Sequence, residues 1–116
     1  DKAGDELGCA ESVSNIIAKV VKFPIITGTW TLNETLEKDG RFVKMTENPG
    51  RGAIVISPTG AGNGTRRGHV GIVGNNRLIM SADSATGLWC INYTIDSWHT
   101  IFRITGGFPM TFYALL

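Results

Sequence analysis

The sequence predicts an α+β domain, with helices in the first third and an antiparallel sheet after them. Two patterns carry this reading. Apolar residues at Val13, Ile16, Ile17, Val20 and Val21 follow the i, i+3, i+4, i+7, i+8 spacing of a helix with one buried face. From Ala53 onward the apolar residues come instead in short runs rich in β-branched types, divided by Gly, Asn and Asp turn signals. Helices followed by a meander of strands is an α+β order, not an alternating α/β one. A length of 116 residues suits one domain around one core, so residues 1–116 are read as a single unit without repeat or linker.

Each element has its own reason. Asp1 to Gly8 is polar and reads as a lead-in loop. The first helix follows and stops before Pro24, because the residue ahead of proline avoids helical geometry. Thr31-Leu32-Asn33-Glu34 fits a capping box for a second, shorter helix that Asp39-Gly40 closes. Arg41 to Met45 reads as a short extension, and Asn48-Pro49-Gly50 as a turn. Ala53 to Ser57 is an apolar run suited to a central strand. Pro58 to Gly68 is glycine-rich and reads as an exposed loop. Gly68-His69-Val70-Gly71-Ile72-Val73 reads as a buried strand that opens on a histidine. Asn75-Asn76 signals a hairpin, with Arg77 to Ala82 as its return strand. Asp83 to Gly87 is a polar turn and Leu88 to Tyr93 a further strand. Thr94 to His99 suggests a turn, and Ile101 to Ile104 the last strand.

Composition excludes several classes. The formal net charge is +1 and the basic residues are scattered, with Arg66-Arg67 the one adjacent pair, so no nucleic-acid partner is expected. No apolar run approaches a membrane span, and no signal peptide is visible. The chain starts at Asp1, so a mature form or a domain of a longer protein is expected. The two cysteines, Cys9 and Cys90, give no disulfide framework and no zinc spacing. Asp1, Asp5, Glu6 and Glu11 surround Cys9 but lack an Asp-x-Asp spacing, so neither calcium nor any other metal or cofactor is expected. Three Asn-x-Thr sequons, at Asn33, Asn63 and Asn92, arise easily in a threonine-rich chain.

Two residues could carry chemistry. Cys9 falls at the start of the first helix, where unpaired N–H groups and the dipole favour a thiolate. The same residue serves equally as a small buried hydrophobe. His69 sits at the mouth of its strand, where a general base has a rigid seat, or where a half-buried imidazole satisfies a loop carbonyl. Trp89, Tyr93 and Trp98 could line a groove, although large aromatics more often pack in a core or at its edge. Cys90 alternates with Trp89 and reads as a buried thiol, slower to react than Cys9.

The order of three motifs resembles the CHAP and NlpC-like papain-fold peptidases. These are Gly8-Cys9-Ala10-Glu11-Ser12-Val13, then Arg51 to Pro58, then Gly68 to Val73. The resemblance covers roughly Leu7 to Trp98 and departs at Ala53, where the family usually has an acid. It implies a papain-like fold in which N-terminal helices pack on an antiparallel sheet, with Cys9 as nucleophile and His69 as the base that activates it. It implies a third residue on the next strand or its end. Met80 and Ala82 cannot orient an imidazole, so Asp83 is the first candidate and Ser81 the second, although Asp83 also suits an ordinary turn. The implied activity is a cysteine amidase or endopeptidase acting on the stem or cross-bridge peptide of bacterial peptidoglycan. The implied setting is the cell wall or extracellular space, as for a secreted hydrolase or phage lysin, with a monomer expected. Two other readings share these residues: a papain-fold acyltransferase or deamidase acting on a protein, and a non-catalytic wall-binding module.

Overall fold

A six-stranded antiparallel sheet divides the domain into two layers in this computed structural model, which describes residues 6–64, 67–83, 86 and 88–116. The elements run α1 (Glu6–Ala18), α2 (Thr29–Lys38), β1 (Phe42–Met45), β2 (Ile54–Ser57), β3 (His69–Val73), β4 (Leu78–Ala82), β5 (Trp89–Thr94), α3 (Ile95–Trp98) and β6 (Thr111–Leu115). The strand order is β1-β6-β2-β3-β4-β5, every pair antiparallel. The α+β class and the β2-to-β5 meander are as the sequence predicts.

The helices α1 and α2 cover one face. Cys9, Ala10, Val13 and Ile17 of α1 and Leu32 and Leu36 of α2 pack on Ile54, Ile56, Val70, Ala82 and Tyr113. The other face is aromatic. Val55, Val73, Ile79 and Phe112 from the strands meet Ile95, Trp98, Phe102 and Phe108. Successive strand residues point to opposite faces, so Phe112 and Tyr113 of β6 enter the two cores separately.

Three expectations need correction. The second helix starts at Thr29, not Thr31, and its N-cap is Gly28 without a side-chain cap. Thr29 is buried and its hydroxyl accepts from the backbone N–H of Thr59 at 2.9 Å, so it ties α2 to the loop after β2. A capping box stands instead at Thr94 and Ser97, heading α3. Ile101 to Ile104 is not a strand. α3 runs on as a π-helical turn over His99–Thr105, with Trp98 and Phe102 buried and Ile101 and Ile104 exposed. One helical turn separates the two buried aromatics, and that spacing sets the period. The last strand is β6, which inserts between β1 and β2 and makes Phe42–Met45 of the expected extension part of the sheet. The connection between β3 and β4 turns at Asn76 and Arg77, both in the left-handed region at φ 56° and 60°.

Candidate active site

Cys9 lies on the first turn of α1, a helix that already includes Glu6, so the lead-in is shorter than the sequence suggests. The acidic Asp1 and Asp5 and the basic Arg66 lie outside the described residues. Cys9 is 0% exposed, whereas Cys90 is half-buried, which reverses the expected order of accessibility. The cause is the apolar face of α1: Cys9 and Ala10 both lie in the cluster with Val70 and Ala82. Among the described residues no group of His, Cys, Asp and Glu side chains could hold a metal ion.

His69 opens β3 as predicted. Its neighbour Val70 faces the helices, so by strand alternation the imidazole faces the aromatic layer. There it stacks on Trp98 at 5.4 Å and Phe102 at 5.9 Å, and meets Tyr93 edge-on at 5.8 Å. Trp98 is itself anchored: its indole N–H donates to Ser57 Oγ at 3.0 Å, and Ser57 Oγ donates to the carbonyl of Pro109 at 2.8 Å. Ser57 is the cross-strand partner of His69, so one polar residue of β2 holds the wall against which the imidazole packs.

Glycines make room for this arrangement. A Cβ on Gly68 would collide with the backbone oxygen of Ser57 and the backbone of Pro58 and Thr59, so β3 can start close beside β2 only with glycine there. A Cβ on Gly71 would meet the carbonyl of Met80 at 2.7 Å and the Ser81 Cβ at 3.2 Å. Gly71 therefore lets Ser81 lie low against β3, diagonally across from His69.

That diagonal contact is the site's central bond. His69 Nε2 lies 2.9 Å from Ser81 Oγ, with both residues buried. Ser81 Oγ in turn donates to Asn92 Oδ1 at 2.7 Å. Asn92 reaches this position because β5 carries a bulge: Ile79 pairs with Tyr93 but Met80 pairs with Ile91, leaving Asn92 as the extra residue. Cys90, Asn92 and Tyr93 are all partly buried, while Trp89 and Ile91 are exposed, so the bulge turns two successive residues inward.

Asp83 follows β4 directly. Continuing the β3–β4 register sets it opposite His69, and its charge pulls the imidazole toward protonation. Burial opposes this and wins, holding the His69 pKa down at about 4. A buried imidazole of that kind is neutral at neutral pH and able to accept a proton. Asp83 Oδ1 also accepts from the Thr86 backbone N–H at 3.3 Å, as a turn residue does. Tyr93 is pushed up by burial first, then by the charges of Asp83 and Cys9. Cys9 is thus within electrostatic reach of the tyrosine whose ring touches His69, although it approaches from the helix side of the sheet.

The structure therefore gathers His69, Ser81, Asn92, Tyr93 and Asp83 at one end of β3, β4 and β5, while Cys9 belongs to the helix-side cluster that includes Val70 and Ala82. Asn92 escaped the sequence reading because it looked like a sequon inside an alternating strand. The available signal was the failed alternation after Ile91, where two polar-tipped residues stand together. Trp98 is wholly buried, and Trp89 is 37% exposed, so only the second is free to meet a ligand. No family model matches the chain, and no curated protein matches it either. No helix among the described residues is long and apolar enough to cross a membrane.

Proposed function

We propose that this chain is a cysteine-dependent amidase or endopeptidase of the papain-like CHAP and NlpC type, acting on the peptide part of bacterial peptidoglycan outside the cell. The observation that carries the reading is His69, a buried neutral imidazole at the start of β3, hydrogen-bonded through Nε2 to Ser81. The order of the Cys9 and His69 motifs adds to it.

In this reading the first turn of α1 opens to expose the buried Cys9 and bring its thiol within hydrogen-bond reach of His69, which takes the proton as sulfur attacks the amide carbonyl. The tetrahedral intermediate collapses as the C–N bond breaks, and His69 returns the proton to the leaving amine. Water, deprotonated by His69, then attacks the thioester and frees the acid and the thiol. The positive end of α1 favours the developing negative charge on sulfur. Asp83 favours the transient imidazolium through its charge.

The complete burial of Cys9 favours a second reading, in which the thiol is packing and the chain is a wall-binding module. Digestion of purified peptidoglycan followed by mass analysis of the released ends separates the two. The hydrolase reading expects new amino termini, on alanine for an amidase and on other residues for an endopeptidase. Binding to the wall without release would leave the module.

A further inference from the structure

We infer that Ser81 and Asn92 form an uncharged positioning relay that fixes which nitrogen of His69 carries the proton. The inference rests on the hydrolase reading only for its effect on turnover. A serine hydroxyl has one proton to donate. That proton goes to Asn92 Oδ1 at 2.7 Å. Toward His69, Ser81 Oγ can then act only as an acceptor, so the 2.9 Å contact requires the proton on Nε2. Nδ1 is left as the basic nitrogen.

The fold is arranged for this relay. The β5 bulge points Asn92 inward beside Tyr93, and Gly71 leaves space for Ser81 to reach back to the ring. The ring's stacked neighbours, Trp98 and Phe102, carry no charge. Among the described residues the titratable groups facing it are Asp83 at the end of β4 and Tyr93 on β5, and Asp83 acts on it through charge. Ser81 and Asn92 are positioning residues: Ser81 touches the base, and Asn92 acts on the base through Ser81. Orientation that elsewhere falls to a carboxylate is here supplied by two neutral side chains, so the imidazolium gains less ground-state stabilisation and the base stays deprotonated.

Ring nitrogen-15 spectra of the full chain test this, with His99→Gln leaving a single imidazole. The expected result is a protonated Nε2 and an unprotonated Nδ1, unchanged between pH 6 and pH 8, since the ring's pKa lies at about 4. Asn92→Ala and Ser81→Ala should each give a mixture of tautomers. Asn92→Asp keeps an acceptor and should restore the Nε2–H form while raising the ring's pKa by about one unit or more. On peptidoglycan, Ser81→Ala should lower kcat by at least about tenfold with KM little changed. A ring protonated on Nδ1 in the native protein overturns the relay, since Ser81 would then be donating to His69 and Asn92 presenting its NH2. An unaltered tautomer in both alanine variants overturns it as well. The predicted tautomer in a protein with no hydrolytic activity would uphold the relay and remove the hydrolase reading.

Discussion

The two faces of the sheet are packed by different chemistry. On the helix side Cys9 packs in an apolar cluster with Ala10, Val13, Val70 and Ala82. On the aromatic side His69 is held by direction: a hydrogen bond to Ser81, a second from Ser81 to Asn92, and an indole that Ser57 fixes in place. Apolar packing is non-directional and tolerates small shifts, whereas a hydrogen-bonded ring loses its partner when it rotates. Stability should therefore be spread over both faces, while the orientation of the base depends on one of them.

Two core truncations break the comparison most strongly. Leu36→Ala on the helix side should cost about 2–5 kcal/mol, and Trp98→Ala on the aromatic side about 3–5 kcal/mol. Urea unfolding would find them similar. The pKa of His69 would not: Leu36→Ala should leave it near 4, while Trp98→Ala opens the ring to water and should move it back toward 6.5. Equal effects of the two on the imidazole would mean that the faces are not separate.

A pH titration of stability comes next in size. The folded pKa of His69, about 4, lies below its ordinary value of 6.5. Between these values the unfolded chain binds the extra proton, so stability rises with pH through that window and is lost as pH falls from 6.5 to 4. The loss should be on the order of 3 kcal/mol from this group, and His69→Gln should remove that part of the slope. Asp83→Asn, by deleting the charge that favours the imidazolium, should lower the folded pKa further and steepen the acid loss.

Thiol labelling is a smaller effect that sharpens the same contrast. Cys90 is half-buried and Cys9 wholly buried, so iodoacetamide should modify Cys90 at least about tenfold faster in the native protein, with the rates converging in denaturant. Faster labelling of Cys9 would show that the first turn of α1 opens readily in solution.

The helix-side layer was legible in the sequence because its determinants are local. The spacing of Val13, Ile16 and Ile17 announces α1, although the helix stops at Ala18, short of the expected end before Pro24, and leaves Val20 exposed; β2 through β5 are bounded by their own turn signals. The aromatic layer was not, for reasons that are tertiary. Ile101 to Ile104 is β-rich by composition, but the burial of Trp98 and Phe102 one turn apart makes it helical. β6 is short and terminal, and only its insertion between β1 and β2 shows that it is central. The Thr31 capping box is locally sound, yet α2 begins earlier because Thr29 bonds a distant loop. Cys9 and His69 were legible as types at motif positions. Ser81, the second candidate for orienting the imidazole, makes the hydrogen bond to Nε2 in place of Asp83, the first; Asn92 was not legible, because a one-residue bulge in β5 brings it in.

In the hydrolase reading we propose, Cys9 and His69 act as one unit although they pack on opposite faces of the sheet. Turnover of purified peptidoglycan by Cys9→Ala, His69→Gln and the double variant, each verified as folded, tests it most directly. Groups that share one step are non-additive, so each single change should fall to the same floor as the double, several orders of magnitude below the unaltered chain. Residual lysis by folded Cys9→Ala, or a double variant slower than either single by the product of their losses, would contradict it.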